Sequence, residues 1–316
     1  MFSIDGGNRE AVQFDRGSRK TVTYQSILLL VVAQDAALLA QGTQPLPADV
    51  QLERDIAYNE PKNQRQMLDV YRPAAGKNLP VVVWVHGGGW VVGDKTEVAS
   101  KPVAFTQKGL VFVAVNYRFV PNVTMDEIVR DIAKSVRWVH DNIGARGGDP
   151  KRIFLMGHSA GAQLAALVCT DDRFLKAEGL SLAILKGCVP VDGDTYDVPL
   201  QVATAAARRK SRGQPDPKMG HPEKFGPPDR QRDLSAVRHI APNKGIPPFL
   251  ILHVADHTDT TAQAHRLWSE LLEARVPAKV FGAAGTDHIR LDRDLGVPGD
   301  PSTAELFAFV EGALKK

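Results

Sequence analysis

Short apolar runs recur along this chain at 80–85, 110–115, 153–156 and 248–254, the last broken only by His253, with helix-like stretches between them. A strand with one face in water alternates apolar and polar side chains, whereas a strand apolar throughout is covered on both faces. Such strands belong to parallel sheets, because parallel neighbours need a long crossover whose helix then lies over the sheet. The stretch 125–142 carries Met125, Ile128, Ile132, Val136 and Val139 at helical spacing, which gives it one apolar face. Residues 261–275 and 303–314 read as further helices, and 180–188 and 278–281 as further strands. Ahead of them, 55–58 and 66–71 alternate in period two and predict a hairpin. The expected fold is α/β: a mostly parallel central sheet with helices on both faces, led by an antiparallel N-terminal hairpin, in a single domain over residues 51–316.

Two segments depart from this pattern. Residues 192–247 hold many prolines and a basic run at 208–212, and after Ala207 show little strand or helix periodicity. An insertion of this length in a compact domain is usually a cap or a binding loop. Residues 1–50 form an N-terminal extension, disordered or signal-like. Within it the apolar stretch 27–33 follows Arg19 and Lys20 and ends in a Val-x-Ala pattern, as a secretory leader does. Acidic residues precede this signal-like segment (about 19–40) and Asp35 follows it, so both a cytoplasmic and an exported protein fit. No apolar run approaches the roughly 18 residues that span a bilayer, so stable membrane insertion is not expected. Net charge is only +3, from 39 basic and 36 acidic residues, and gives no footprint for nucleic acid. Cys169 and Cys188 lack metal-site spacing and read as buried thiols.

The chemistry-bearing stretch is 152–168: a short apolar strand, then Gly157-His158-Ser159-Ala160-Gly161, then a run of good helix formers. It matches G-x-S-x-G, which sets a serine on a sharp strand-to-helix bend at the top of a parallel sheet. Side chains at 157 or 161 would hold the helix off the strand. A serine hydroxyl needs a base, and the base needs an orienting group, in the chain order Ser, acid, His. His288 lies after the last predicted strand and before the last helix, where a loop crosses the sheet's carboxyl edge, and is the candidate base. For the acid, Asp256 stands nearest the end of the strand 248–254, with Asp259 as its rival. Asp287 adjoins the histidine too closely to reach across its ring.

A second motif, His86-Gly87-Gly88-Gly89-Trp90, directly follows the strand 80–85. Consecutive glycines let backbone N–H groups approach a substrate without Cβ clashes. The expected oxyanion hole is formed by the N–H groups of Gly88, Gly89 and Ala160, with Trp90 as a substrate wall.

Taken together, HGGGW at 86–90, Asn116-Tyr117-Arg118, the stretch 142–148 ahead of Asp149-Pro150, and GHSAG at 157–161 resemble the α/β-hydrolase superfamily. Within it they are similar to the hormone-sensitive-lipase-like carboxylesterases and to the bacterial feruloyl- and acetylxylan-esterase branch, related to kynurenine formamidase. The likeness runs from about residue 56 to the C-terminus. It implies a serine carboxylesterase acting through an acyl-enzyme on a small to medium ester, with Ser159 as nucleophile, His288 as base, a carboxylate after the sixth parallel strand, and neither cofactor nor metal. The same triad serves formamidases and amidases, and a non-catalytic small-molecule-binding protein can use the same scaffold. The acid loop 253–259 lacks the glycine-rich turn usual in these families, and Ile289 rather than glycine follows His288; Asp256 and Asp259 both stay open.

Overall fold

The computed structural model describes residues 46–315, and the expectations for a signal-like leader fall outside them. Residues Pro47–Lys316 cluster as one compact unit. β1 (Val50–Ala57) and β2 (Met67–Pro73) form the expected antiparallel hairpin. There follow β3 (Leu79–Val85), β4 (Val111–Val115), β5 (Gly148–His158), β6 (Leu185–Val191), β7 (Phe249–Val254) and β8 (Ala278–Ala283). One eight-stranded sheet results, in the order β1-β2-β4-β3-β5-β6-β7-β8. β2 meets β4 antiparallel, and every later pairing is parallel. Every residue of β4 is buried, and so are Val81 to Val85 of β3, as their unbroken apolar runs require.

The covering helices are α1 (Lys101–Gln107), α2 (Met125–Asn142), α3 (Ala160–Thr170), α4 (Asp172–Ala177), α5 (Val198–Ser211), α6 (His221–Phe225), α7 (Pro228–Asp233), α8 (Thr258–Glu273), α9 (His288–Asp294) and α10 (Pro301–Leu314). Helix α2 starts at a reciprocal cap: Thr124 Oγ1 accepts from the Glu127 N–H, and the Thr124 N–H donates to Glu127 Oε2. Helix α3 is buried at every residue, because the sheet lies beneath it and α2 beside it. The segment 192–247 is more ordered than its composition suggests, since α5, α6 and α7 occupy nearly half of it.

The carboxyl ends of the parallel strands share one edge. β3 delivers the glycine loop there, β5 the serine turn, β6 Asp192, β7 the turn holding Asp256, and β8 the loop leading to His288. A cavity of about 560 Å³ opens at the other end, against the first residues of β6, β7 and β8, and none of the candidate residues lines it.

Candidate active site

Ser159 stands between β5 and α3 at φ 53°, ψ −118°, a conformation that L-residues adopt only under constraint. The constraint is close packing. A Cβ on Gly161 would drive into the carbonyl oxygens of Val85 and His86, and one on Gly157 into that of Gly161. With neither Cβ present, α3 starts directly over the strand and projects Ser159 above the sheet edge.

His288 opens α9, whose N-cap is Asp287; the Asp287 carboxylate accepts from the N–H groups of Ile289 and Arg290 and so never faces the imidazole. The His288 ring instead donates from Nδ1 to Asp192 Oδ2 at 2.6 Å. Asp192 follows β6 directly, with its side chain fully buried and φ at 50°. Its other oxygen accepts from the Val254 N–H at 2.9 Å, which fixes the carboxylate plane. Burial opposes ionisation of Asp192, but the His288 and Val254 hydrogen bonds hold it below the usual carboxylate range. Burial likewise opposes charge on His288, yet the bond and charge of Asp192 raise it above its ordinary value. A carboxylate can only accept, so the ring proton sits on Nδ1 and the Nε2 lone pair is free for base chemistry.

The geometry therefore corrects the expected acid. Asp256 is exposed in the turn after β7, and its carboxylate makes no hydrogen bond among the described residues. Asp259 is buried, but it pairs with Arg208 and accepts from Gln201 Nε2, both on α5. It ties the insertion to α8 rather than orienting His288. The N-cap of α8 is His257.

Gly88 and Gly89 adopt φ of 104° and 57°, and a Cβ on Gly88 would collide with the Val92 carbonyl. Among the described residues neither N–H donates a backbone hydrogen bond, and the Ala160 N–H, first in its helix, has no partner within it. Ser159, the oriented imidazole and these amides all lie along one sheet edge. No hydrogen bond joins Ser159 Oγ to His288 among the described residues, but the adjacent His158 ring lies 4.4 Å from the His288 ring.

A family profile for BD-FAE matches residues 68–271, a span that includes the glycine loop, Ser159 and Asp192. The chain belongs to the BD-FAE family. Its curated relatives include isoprenylcysteine alpha-carbonyl methylesterase ICME of Arabidopsis thaliana, 36% identical over 138 residues, covering 42% of this chain and 32% of that one. Kynurenine formamidase of Danio rerio is 35% identical over 143 residues, covering 45% and 47%. The chain thus spans about a third to a half of the length of these relatives. Among solved structures, esterase B of Lactobacillus rhamnosis superposes with a TM-score of 0.68 at 21% identity, covering 92% of this chain and 95% of that one. The shared fold is that of the α/β hydrolases.

In this BD-FAE chain the glycine loop is held from behind by His86 and Tyr117 of the two motifs and by Arg65, which no motif marks. The His86 ring donates from Nδ1 to the Gly87 carbonyl at 2.7 Å, so Nε2 is left to accept from Arg65 Nη2 at 3.3 Å. Arg65 also donates to the Gly93 carbonyl and pairs with Asp94, while the Tyr117 hydroxyl lies 3.1 Å from the carbonyls of both His86 and Gly87. Burial lowers His86 to about 4, so the ring is neutral near pH 7 and this pattern persists.

His288 is braced in the same manner. His158 Nε2 donates to the His288 carbonyl at 2.9 Å, and burial keeps that ring neutral, with a pKa lowered to about 4. One helical turn along α9, Asp292 meets the fully buried Lys101 at 2.8 Å, and the ammonium also donates to the Asp292 carbonyl at 2.6 Å. Trp90, expected as a substrate wall, is only 3% exposed. Its indole donates to Gln163 Oε1 and packs edge-on against Phe225 and His221, so it backs the insertion instead of facing solvent.

Proposed function

We propose that this BD-FAE chain is a serine carboxylic-ester hydrolase that works through an acyl-enzyme, with a small-molecule ester as substrate. Ser159 attacks the ester carbonyl as His288 Nε2 takes its proton, and Asp192 steadies the imidazolium that forms. The carbonyl oxygen becomes an oxyanion facing the N–H groups of Gly88, Gly89 and Ala160, where each donor contributes about 3 kcal/mol to the transition state. His288 then protonates the leaving alcohol, and a water activated by the same ring releases the acid. A small movement of Ser159 and His288 toward each other completes the pair, as free catalytic groups commonly tighten when substrate binds.

The observation that carries this reading is the buried Asp192 carboxylate, which fixes the His288 proton on Nδ1 and leaves Nε2 as base. The methylesterase and esterase relatives support an ester as the bond cleaved. Kynurenine formamidase relatives favour one second reading, a formamidase using the same residues. Turnover of p-nitrophenyl acetate and of N-formylkynurenine, each measured with the native protein and with Ser159→Ala, tests both. Higher kcat/KM on the ester, lost in the variant, is expected. Higher kcat/KM on the formamide replaces the first reading by the second, and a variant that retains turnover refutes both.

A further inference from the structure

The two buried lysines among the described residues are matched with carboxylates, whereas a half-buried one beside the active site is not. Lys101 holds Asp292, and Lys95 lies 2.7 Å from Asp69 and 2.8 Å from Asp55. Lys224, on the insertion helix α6, is half-buried, and among the described residues its ammonium makes neither a salt bridge nor a hydrogen bond. Burial pushes its pKa below the ordinary lysine value, against the opposing pull of Asp194 and Glu223. Asp194 is engaged elsewhere: Gln201 Nε2 donates to it at 3.0 Å and His221 Nε2 lies 3.8 Å away.

The position of the free ammonium is informative. Lys224 Nζ lies 5.4 Å from the centroid of the Trp90 ring and 3.6 Å from where a Cβ on Gly89 would stand. It therefore projects over the glycine loop whose amides face the reacting carbonyl. Lys224 also lines a cleft of about 340 Å³ with the apolar Met125, Phe225 and Leu234 and with the charged Glu223, Asp126 and Arg230, the last two paired with each other. The Trp90 face offsets part of the cost of desolvating this cation, and a ligand carboxylate would supply the counter-charge that no described side chain gives it.

We propose that Lys224 is a specificity-determining residue that binds a carboxylate carried by the substrate a short chain length from the ester carbonyl. The natural substrate class is then the anionic ester, such as a half-ester of a short dicarboxylic acid, not a neutral one. Trp90 and Phe225 give the lysine a rigid aromatic backing, so the charge is presented at a fixed place. The proposal rests on the ester-hydrolase reading for turnover, but not for binding.

The test compares p-nitrophenyl hemisuccinate with its neutral near-isostere p-nitrophenyl pentanoate, and adds an acetate ester with the carboxylate on the alcohol side. Lys224→Met is expected to lower kcat/KM on at least one anionic ester by about 10- to 100-fold, the effect of losing one charge-assisted hydrogen bond, while the neutral ester changes by less than about 2-fold. Lys224→Glu should reverse the order and favour an ester bearing a quaternary ammonium group. Equal losses on charged and neutral esters would mean that Lys224 serves the oxyanion or the fold, and would overturn the proposal. Calorimetric binding of monomethyl succinate to Ser159→Ala, with and without Lys224→Met, provides the reading independent of turnover. If the native protein cleaves no ester while Lys224→Met still weakens this binding by about 10-fold or more, the ester reading fails and the anion subsite survives; unchanged binding overturns the subsite itself.

Discussion

Replacing Asp192 by asparagine separates a positioned imidazole from one that is merely nearby. The Val254 N–H donates to one carboxylate oxygen at 2.9 Å, and His288 Nδ1 donates to the other at 2.6 Å. Asparagine has a single acceptor oxygen. If it keeps the backbone N–H satisfied, its NH2 group faces His288 Nδ1, and two donors cannot share that contact. The ring must then carry its proton on Nε2 and accept at Nδ1, which blocks Nε2 as the base for Ser159. A wrong-tautomer histidine of this kind lowers kcat by about 10³- to 10⁴-fold, or roughly 4 to 5.5 kcal/mol in the barrier. The fold should persist, because the Val254 hydrogen bond survives. The pH profile adds a sign. In the native protein the acid limb of kcat/KM should lie above 6.5, since Asp192 raises the His288 pKa, and activity should increase as pH climbs through that limb. Without the carboxylate the residual activity should show its limb at lower pH, because burial alone lowers the histidine. Asp256→Asn is the control, and as an exposed turn residue it should change kcat by less than about 2-fold. Stopped-flow and steady-state release of p-nitrophenol measure all of these quantities. Near-native activity in Asp192→Asn together with collapse in Asp256→Asn would refute the reasoning.

Other consequences follow from the packing around the site. Gly88→Ala places a methyl against the Val92 carbonyl at a left-handed φ, so the loop must shift and its oxyanion donor with it; kcat should fall by about 10²- to 10³-fold with little change in KM, and an unaltered kcat would show that the Gly88 amide does not face the carbonyl. Lys101→Met leaves Asp292 without its buried partner and should cost about 3 kcal/mol in urea denaturation, with a loss of less than about 1 kcal/mol contradicting the bracing role.

The parallel strands were legible because their apolar runs admit few other environments, and α2 because its apolar residues keep helical spacing along its length. Short helices were not: α6 and α7 span five and six residues, too few for a periodicity to show, and they are held by contacts such as Phe225 against Trp90. The nucleophile and base candidates came from motif and position, whereas the acid was missed through a strand boundary. Leu182 and Ile184 belong to a 3₁₀ turn, so β6 starts at Leu185 and runs on to Val191 across Pro190, a residue that ordinarily argues against a central strand. Extending the apolar run of β6 through Val191 puts Asp192 at the carboxyl end of its strand, by the same rule that pointed to Asp256 after β7. Lys224 had no signal at all, because its meaning comes from a fold that carries the insertion back over the glycine loop.

In the proposed reaction one serine, activated by a remote imidazole, becomes covalently acylated. Intact-mass and peptide mass spectrometry after brief exposure to a fluorophosphonate addresses it directly. A single stoichiometric adduct on Ser159 is expected, formed much more slowly in Asp192→Asn and absent in Ser159→Ala. A well-folded native protein that gains no adduct, or gains it on another residue, would contradict it.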